Sequence, residues 1–95
     1  MPRKAVVLAL SAQRPAPGGV AAVDRALSLL EVFTTDSPNP TLAELAERTR
    51  QYKSTVLRLL ASLQHAGLVQ RQADGRYVVG TAITRLHRVF SSSRP

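Results

Sequence analysis

The chain has no cysteine and no tryptophan, and only two Phe and two Tyr in 95 residues. Without thiols there is no disulfide framework, no thiolate metal site and no cysteine nucleophile; a reducing compartment fits, which makes the cytoplasm the expected location. With so few rings, a core must be built mainly from Leu, Val, Ile and Ala on helices. No apolar run reaches the ~20 residues that cross a bilayer, so no membrane partner is expected. The run AVVLALSA after Arg3 and Lys4 lies at the short end of the roughly 7 to 15 residues of a secretory signal, and QRPAPGG then breaks regular structure. Residues 1–19 are read as a disordered basic arm and the folded part as starting at residue 20.

Acids are also scarce where bases are plentiful. From Arg48 onward there are nine Arg and Lys but one acid, Asp74, although the net charge of the whole chain is only +7. Asp24, Glu31, Asp36, Glu44 and Glu47 all come earlier. A one-sided charge of this kind suits a polyanionic partner.

What is present is a series of short helical repeats. In residues 20–33, Val23, Ala26, Leu27, Leu30 and Phe33 share a face, with Asp24, Arg25, Ser28 and Glu31 turned away. Residues 34–40, rich in Pro, Asp, Ser and Asn, end that helix, and Thr41 opens a capping box with Glu44. A second helix follows over residues 42–49, with Leu42, Leu45 and Ala46 inward. After a turn at Arg50 and Gln51, residues 52–66 form a third helix, which Gly67 stops. At about 100° per residue, Tyr52, Val56, Leu59, Leu60 and Leu63 fall on one side of it and Ser54, Arg58, Ala61, Ser62 and His65 on the other.

Residues 68–72 and 76–80 are β-prone and joined through Asp74-Gly75, a hairpin signal. An extended piece near Asn39 or Pro40 is a candidate third strand. Beyond Gly80, Ile83, Leu86 and Phe90, with Val89 beside them, make one stripe on a fourth helix. The fold expected is mainly α: a winged helix-turn-helix over residues 20–80, made of a three-helix core plus a β-hairpin wing, followed by a linker helix and tail over 81–95.

In this fold the third helix is free to enter the major groove of DNA. Gln51, Tyr52, Lys53, Ser54 and Thr55 stand near its start, where the helix adds free N–H groups and partial positive charge. Arg58 follows one turn after Ser54, with Ser62 a turn further; Arg58 is expected to contact a base or a phosphate, with guanine the preferred base because the guanidinium fork matches its paired acceptors. Leu57 falls between the apolar and polar faces, where a polar residue is cheaper to expose. Either it packs on the wing or second helix, or it meets a thymine methyl in the groove. In the wing, Arg71, Gln72 and Arg76 can follow the phosphate backbone or the minor groove, while Asp74 is also able to pair with Arg76.

Other chemistries lack parts. His65 and His87 have no acids or cysteines at ligand spacing, so neither a metal nor another cofactor is expected. No paired carboxylates, glycine-rich phosphate loop or nucleophile beside a His points to an enzyme. A winged-helix module that docks a protein, with no DNA role, is the rival reading; such a module has no need of an acid-free helix face.

The segments AVDRALSLLEVF, LAELAERT, KSTVLRLLASL, GLV and DGRYVVG closely resemble the N-terminal winged helix-turn-helix of the IclR (isocitrate lyase regulator) family of bacterial transcription regulators, over about residues 20–90. The resemblance implies double-stranded DNA as partner, with Lys53, Ser54, Thr55 and Arg58 at recognition-helix positions, Arg76 in the wing and Arg25 touching the backbone. It implies a linker helix whose Ile83, Leu86, Val89 and Phe90 help form a homodimer on a palindromic operator, a dimer expected to be weak without the family's larger effector domain. Two departures stand out. Where the family commonly has Gly-Leu-Pro, this chain has Arg50, Gln51 and Tyr52; a left-handed Arg50 would carry strain of about 1 to 2 kcal/mol, which a phosphate contact can offset. The other is length, since that effector domain is expected to lie outside the sequence.

Overall fold

A computed structural model describes residues 15–93. The expectation of a disordered basic arm therefore falls largely on residues 1–14, outside the described residues, as do the last two residues of the expected tail. The described chain is a winged helix-turn-helix followed by one more helix: α1 (Ala21–Leu30), α2 (Leu42–Thr49), α3 (Lys53–His65), β1 (Val69–Arg71), β2 (Tyr77–Val79) and α4 (Ala82–Ser92).

Helix α1 is shorter than its periodicity implies. After Leu30 the backbone tightens, with the N–H groups of Glu31, Val32 and Phe33 donating to the carbonyls of Ser28, Leu29 and Leu30. The buried face is also rotated from the expected one: Ser28, Leu29 and Val32 are buried, whereas Val23 and Leu27 stay exposed. The sequence carries two overlapping apolar stripes here, and the core takes the one centred on Leu29. Burying Ser28 is inexpensive because its hydroxyl donates to the Arg25 carbonyl at 2.6 Å, leaving no donor without a partner.

Helix α2 begins with the expected capping box: the Glu44 N–H donates to Thr41 Oγ1 at 3.1 Å and the Thr41 N–H to Glu44 Oε1 at 2.9 Å. Leu45, Ala46 and Thr49 are buried, and the Thr49 hydroxyl is accommodated by donating to the Leu45 carbonyl. The helix stops at Arg50, whose φ of 56° and ψ of 43° lie in the left-handed region. There the Arg50 N–H donates to the Glu47 carbonyl and the Gln51 N–H to that of Ala46, the paired bonds that usually form around a glycine. Among the described residues Arg50 is the one non-glycine with positive φ.

Helix α3 lays Val56, Leu60 and Leu63 into the core beside Leu29, Val32, Leu45 and Ala46. It ends at His65, and Gly67, two residues on with φ of 78°, turns the chain toward the wing. The hairpin pairs Val69 with Val79 and Arg71 with Tyr77, and its strands are shorter than the β-prone runs. Val69 and Tyr77 point into the core, so the wing supplies a ring that helix periodicity alone did not reveal. No third strand forms among the described residues, but the Tyr77 N–H donates to the Pro40 carbonyl at 2.9 Å, which holds the Pro40 loop along the wing. Gly80 closes the wing against the end of α3, where a Cβ would run into the Gly67 carbonyl. Helix α4 buries Ala82, half-buries Ile83 and leaves Leu86, Val89 and Phe90 exposed.

Candidate nucleic-acid interface

The exposed residues Tyr52, Lys53 and Ser54 stand at the start of α3. Tyr52 precedes it in extended conformation with no side-chain cap, and the first turn holds no acid. The first backbone N–H groups of a helix have no intrahelical acceptor, so they and the helix dipole present positive potential to an anion. Lys53, Ser54, Arg58, Ala61 and Ser62 are exposed along the outer side, and Thr55 is half-buried. Tyr52, which helical spacing assigned to the apolar face, is instead 84% exposed. It lies one residue before the helix, so the helical rotation does not apply to it.

Gln51 departs from the expectation that it faces DNA. Its side-chain amide donates to Ser28 Oγ at 3.2 Å and to the Arg25 carbonyl at 3.3 Å, bridging the helix-turn-helix turn to α1. Its Oε1 is buried without a hydrogen-bond partner. The buried Ser28 hydroxyl explains this turn inward, because that oxygen spends its proton on Arg25 and has a lone pair left for Gln51. Arg25 and Arg50 are both exposed.

The wing is tied to the start of α2. Arg76 Nη1 donates to the Asn39 carbonyl at 2.9 Å and lies 3.8 Å from Glu44 Oε1. Asn39 in turn donates its amide to Gln72 Oε1 at 2.9 Å. Asp74 does not pair with the Arg76 guanidinium; it accepts from the Arg76 backbone N–H at 2.9 Å and shapes the hairpin turn. The Glu44 carboxyl is held below its ordinary value, first by the hydrogen bond from the Thr41 backbone and further by the Thr41 hydrogen bond and the charges of Arg76 and Arg48, with burial opposing. Asn39 and Glu44 are thus wing-positioning residues that the sequence reading did not single out, although the capping box marked Glu44 as fixed. Arg71 remains exposed on the other strand. Among the described residues no group of three His, Asp or Glu is placed to hold a metal ion, and no helix is long and apolar enough to cross a membrane.

Comparison with known proteins gives the same architecture. Residues 22–73 match the IclR helix-turn-helix domain model. The chain is similar to the HTH-type transcriptional regulator Rv1719 of Mycobacterium tuberculosis, at 40% identity over 73% of this chain and 27% of that protein. It is similar also to the transcriptional repressor IclR of Escherichia coli, at 32% identity over 87% of this chain and 31% of that protein. Among solved structures, an IclR family transcriptional regulator from Brucella abortus superposes with a TM-score of 0.73 at 30% identity, covering 84% of this chain and 31% of that one. The IclR transcriptional regulator of Alicyclobacillus acidocaldarius gives 0.70 at 29% identity, over 74% and 29%. The chain therefore spans less than a third of the length of these relatives.

Proposed function

Since the chain belongs to the IclR helix-turn-helix family of DNA-binding transcription regulators, we propose that it binds duplex DNA sequence-specifically, with α3 in the major groove and the wing along the adjacent backbone or minor groove. The observation that carries this reading is the outer side of α3, where Ser54 and Arg58 are exposed next to an uncapped, acid-free helix start. Lys53, Ser54 and Thr55 serve the phosphates and base edges nearest that start, and Arg58 reaches further in, toward guanine. Arg25, Arg50, Arg71 and Arg76 are exposed and supply positive charge for the flanking phosphates, Arg76 while it also holds Asn39 and Glu44. The function is occupancy of a site, with no bond made or broken, and the place of action is the cytoplasm, where a bacterial regulator meets its DNA.

The working unit is a pair of chains on a two-fold site. Two apolar faces suit such pairing: Val20, Val23 and Leu27 on and before α1, and Ile83, Leu86, Val89 and Phe90 on α4, most of them exposed. Two-fold pairing of identical domains predicts a palindromic operator with half-sites about one helical turn, or a multiple of it, apart.

Selection of bound sequences from a random duplex pool, followed by titration at several salt concentrations, tests the proposal. The expected result is an inverted-repeat motif whose affinity falls steeply with salt. Absence of binding, or binding indifferent to salt, would instead favour a protein-docking winged helix.

A further inference from the structure

One residue on the exposed side of α3 is unsuited to water and unused by the core. Leu57 is 49% exposed and is not among the partly buried hydrophobics packed against the central cluster, a role filled on this helix by Leu59. About half of the leucine surface is thus left to water in the free domain, outside the central cluster. Leu57 stands on a ridge with Ser54 and Ala61, at spacings of three and four residues that place them on one side of a helix, and all three are exposed. Arg58 is next to it in sequence and exposed as well.

We propose that Leu57 is a specificity-determining residue that reads the 5-methyl group of a thymine in the major groove. The inference rests on the DNA-binding reading above and refines it. A side chain with no donor and no acceptor cannot distinguish bases by hydrogen bonding. The one apolar group that the major groove displays is the thymine methyl, and contact with it removes both surfaces from water. The neighbours fit this role: Ser54 and Arg58 carry the hydrogen-bonding groups for adjacent base edges, and Ala61 leaves the ridge low enough for a close approach. The other exposed large hydrophobics lie off this ridge, on or before α1, at Tyr52 just ahead of α3, at Val79 on β2 and on α4; within α3, among the described residues, Leu57 is the large hydrophobic left exposed.

The test uses the 95-residue chain and the best duplex selected from a random pool. Each thymine in the selected motif is replaced singly by deoxyuridine, which removes only the methyl, and affinity is measured for the wild type and for Leu57→Ala. In the wild type one substitution should weaken binding about fourfold, the worth of one buried methylene-sized group. In Leu57→Ala the same substitution should have no effect, while discrimination elsewhere in the motif is retained. The proposal is overturned if every thymine-to-uracil change is neutral in the wild type, or if the loss persists undiminished in Leu57→Ala. The wild-type measurements do not depend on how well the variant folds. A chain that selects no duplex at all would bring down the DNA-binding reading itself, an outcome distinct from tight binding that ignores the methyl groups.

Discussion

Arg76 reaches across from the wing to within 3.8 Å of the Glu44 carboxylate at the start of α2. Because Glu44 also closes the capping box with Thr41, one carboxylate both starts a helix and orients the hairpin. Both side chains are about half exposed, so the pair itself is worth at most about 1 kcal/mol. Its value lies in geometry, since together with the Arg76–Asn39 hydrogen bond it ties the wing to the start of α2.

That arrangement predicts a pH dependence. The folded-state pKa of Glu44 is lowered from the ordinary 4.5, so its ionised form favours the folded state. This contribution is fully present above 4.5 and is lost as pH falls through the lower folded value. Glu44→Gln, which keeps an acceptor but no charge, should melt at a lower temperature than the wild type at neutral pH. The difference should shrink as both proteins are taken into the acid range. Parallel melting curves across that range would reveal a constant gap if Glu44 contributed nothing through its charge.

Gln51 should behave as a structural brace. Gln51→Ala removes two hydrogen bonds to α1, at a cost of about 1 to 2 kcal/mol, and its buried Oε1 has no partner to lose. Stability should fall by that amount in chemical denaturation, with base preference at the operator unchanged. A variant of unaltered stability but altered preference would return Gln51 to the DNA-facing group.

Arg50 should show opposite effects on folding and binding. A non-glycine residue at φ of 56° carries strain of about 1 to 2 kcal/mol, so Arg50→Gly should stabilise the free domain by up to about 1 kcal/mol once the greater freedom of glycine in the unfolded chain is counted. It should also weaken DNA binding and lower the salt slope by about 1, as expected for one lost phosphate contact. Denaturation and salt titration of this variant and of Arg50→Ala separate the two effects, because Arg50→Ala removes the charge without relieving the backbone.

Much of this architecture was legible in the sequence because its signals are local. The capping box at Thr41 and Glu44, the stop at Gly67 and the turn at Asp74-Gly75 each depend on neighbours a few residues away. What was not legible depends on distant partners. Nothing near Leu29 says that the core chooses its stripe over that of Val23 and Leu27; the choice is made by α2 and α3. Tyr77 reads as one more strand residue until the hairpin folds back and buries it. Gln51 reads as a donor free for DNA because its acceptors, Ser28 Oγ and the Arg25 carbonyl, lie more than twenty residues earlier. The Arg76 tie to Asn39 spans a longer gap still, 37 residues. The outer side of α3 is the opposite case: an acid-free polar face is visible as soon as the helical period is assigned.

Arg58 gives the most direct test of that face. It is exposed in the middle of α3, one turn beyond Ser54. If it reads guanine with its fork, Arg58→Ala should cost about 1 to 3 kcal/mol and relax preference at one base pair, with little change in melting temperature. Arg58→Lys then separates charge from geometry. Lysine keeps the cation and so the salt slope, but it lacks the planar fork, and the preference for guanine should fall while general affinity is largely kept. A role confined to phosphate would give another pattern: Arg58→Ala would weaken all sequences alike and reduce the salt slope by about 1, and Arg58→Lys would be nearly silent. Competition among duplexes differing at single positions, repeated at two salt concentrations, distinguishes the two. Unchanged affinity and preference in Arg58→Ala would show that the centre of α3 does not meet DNA.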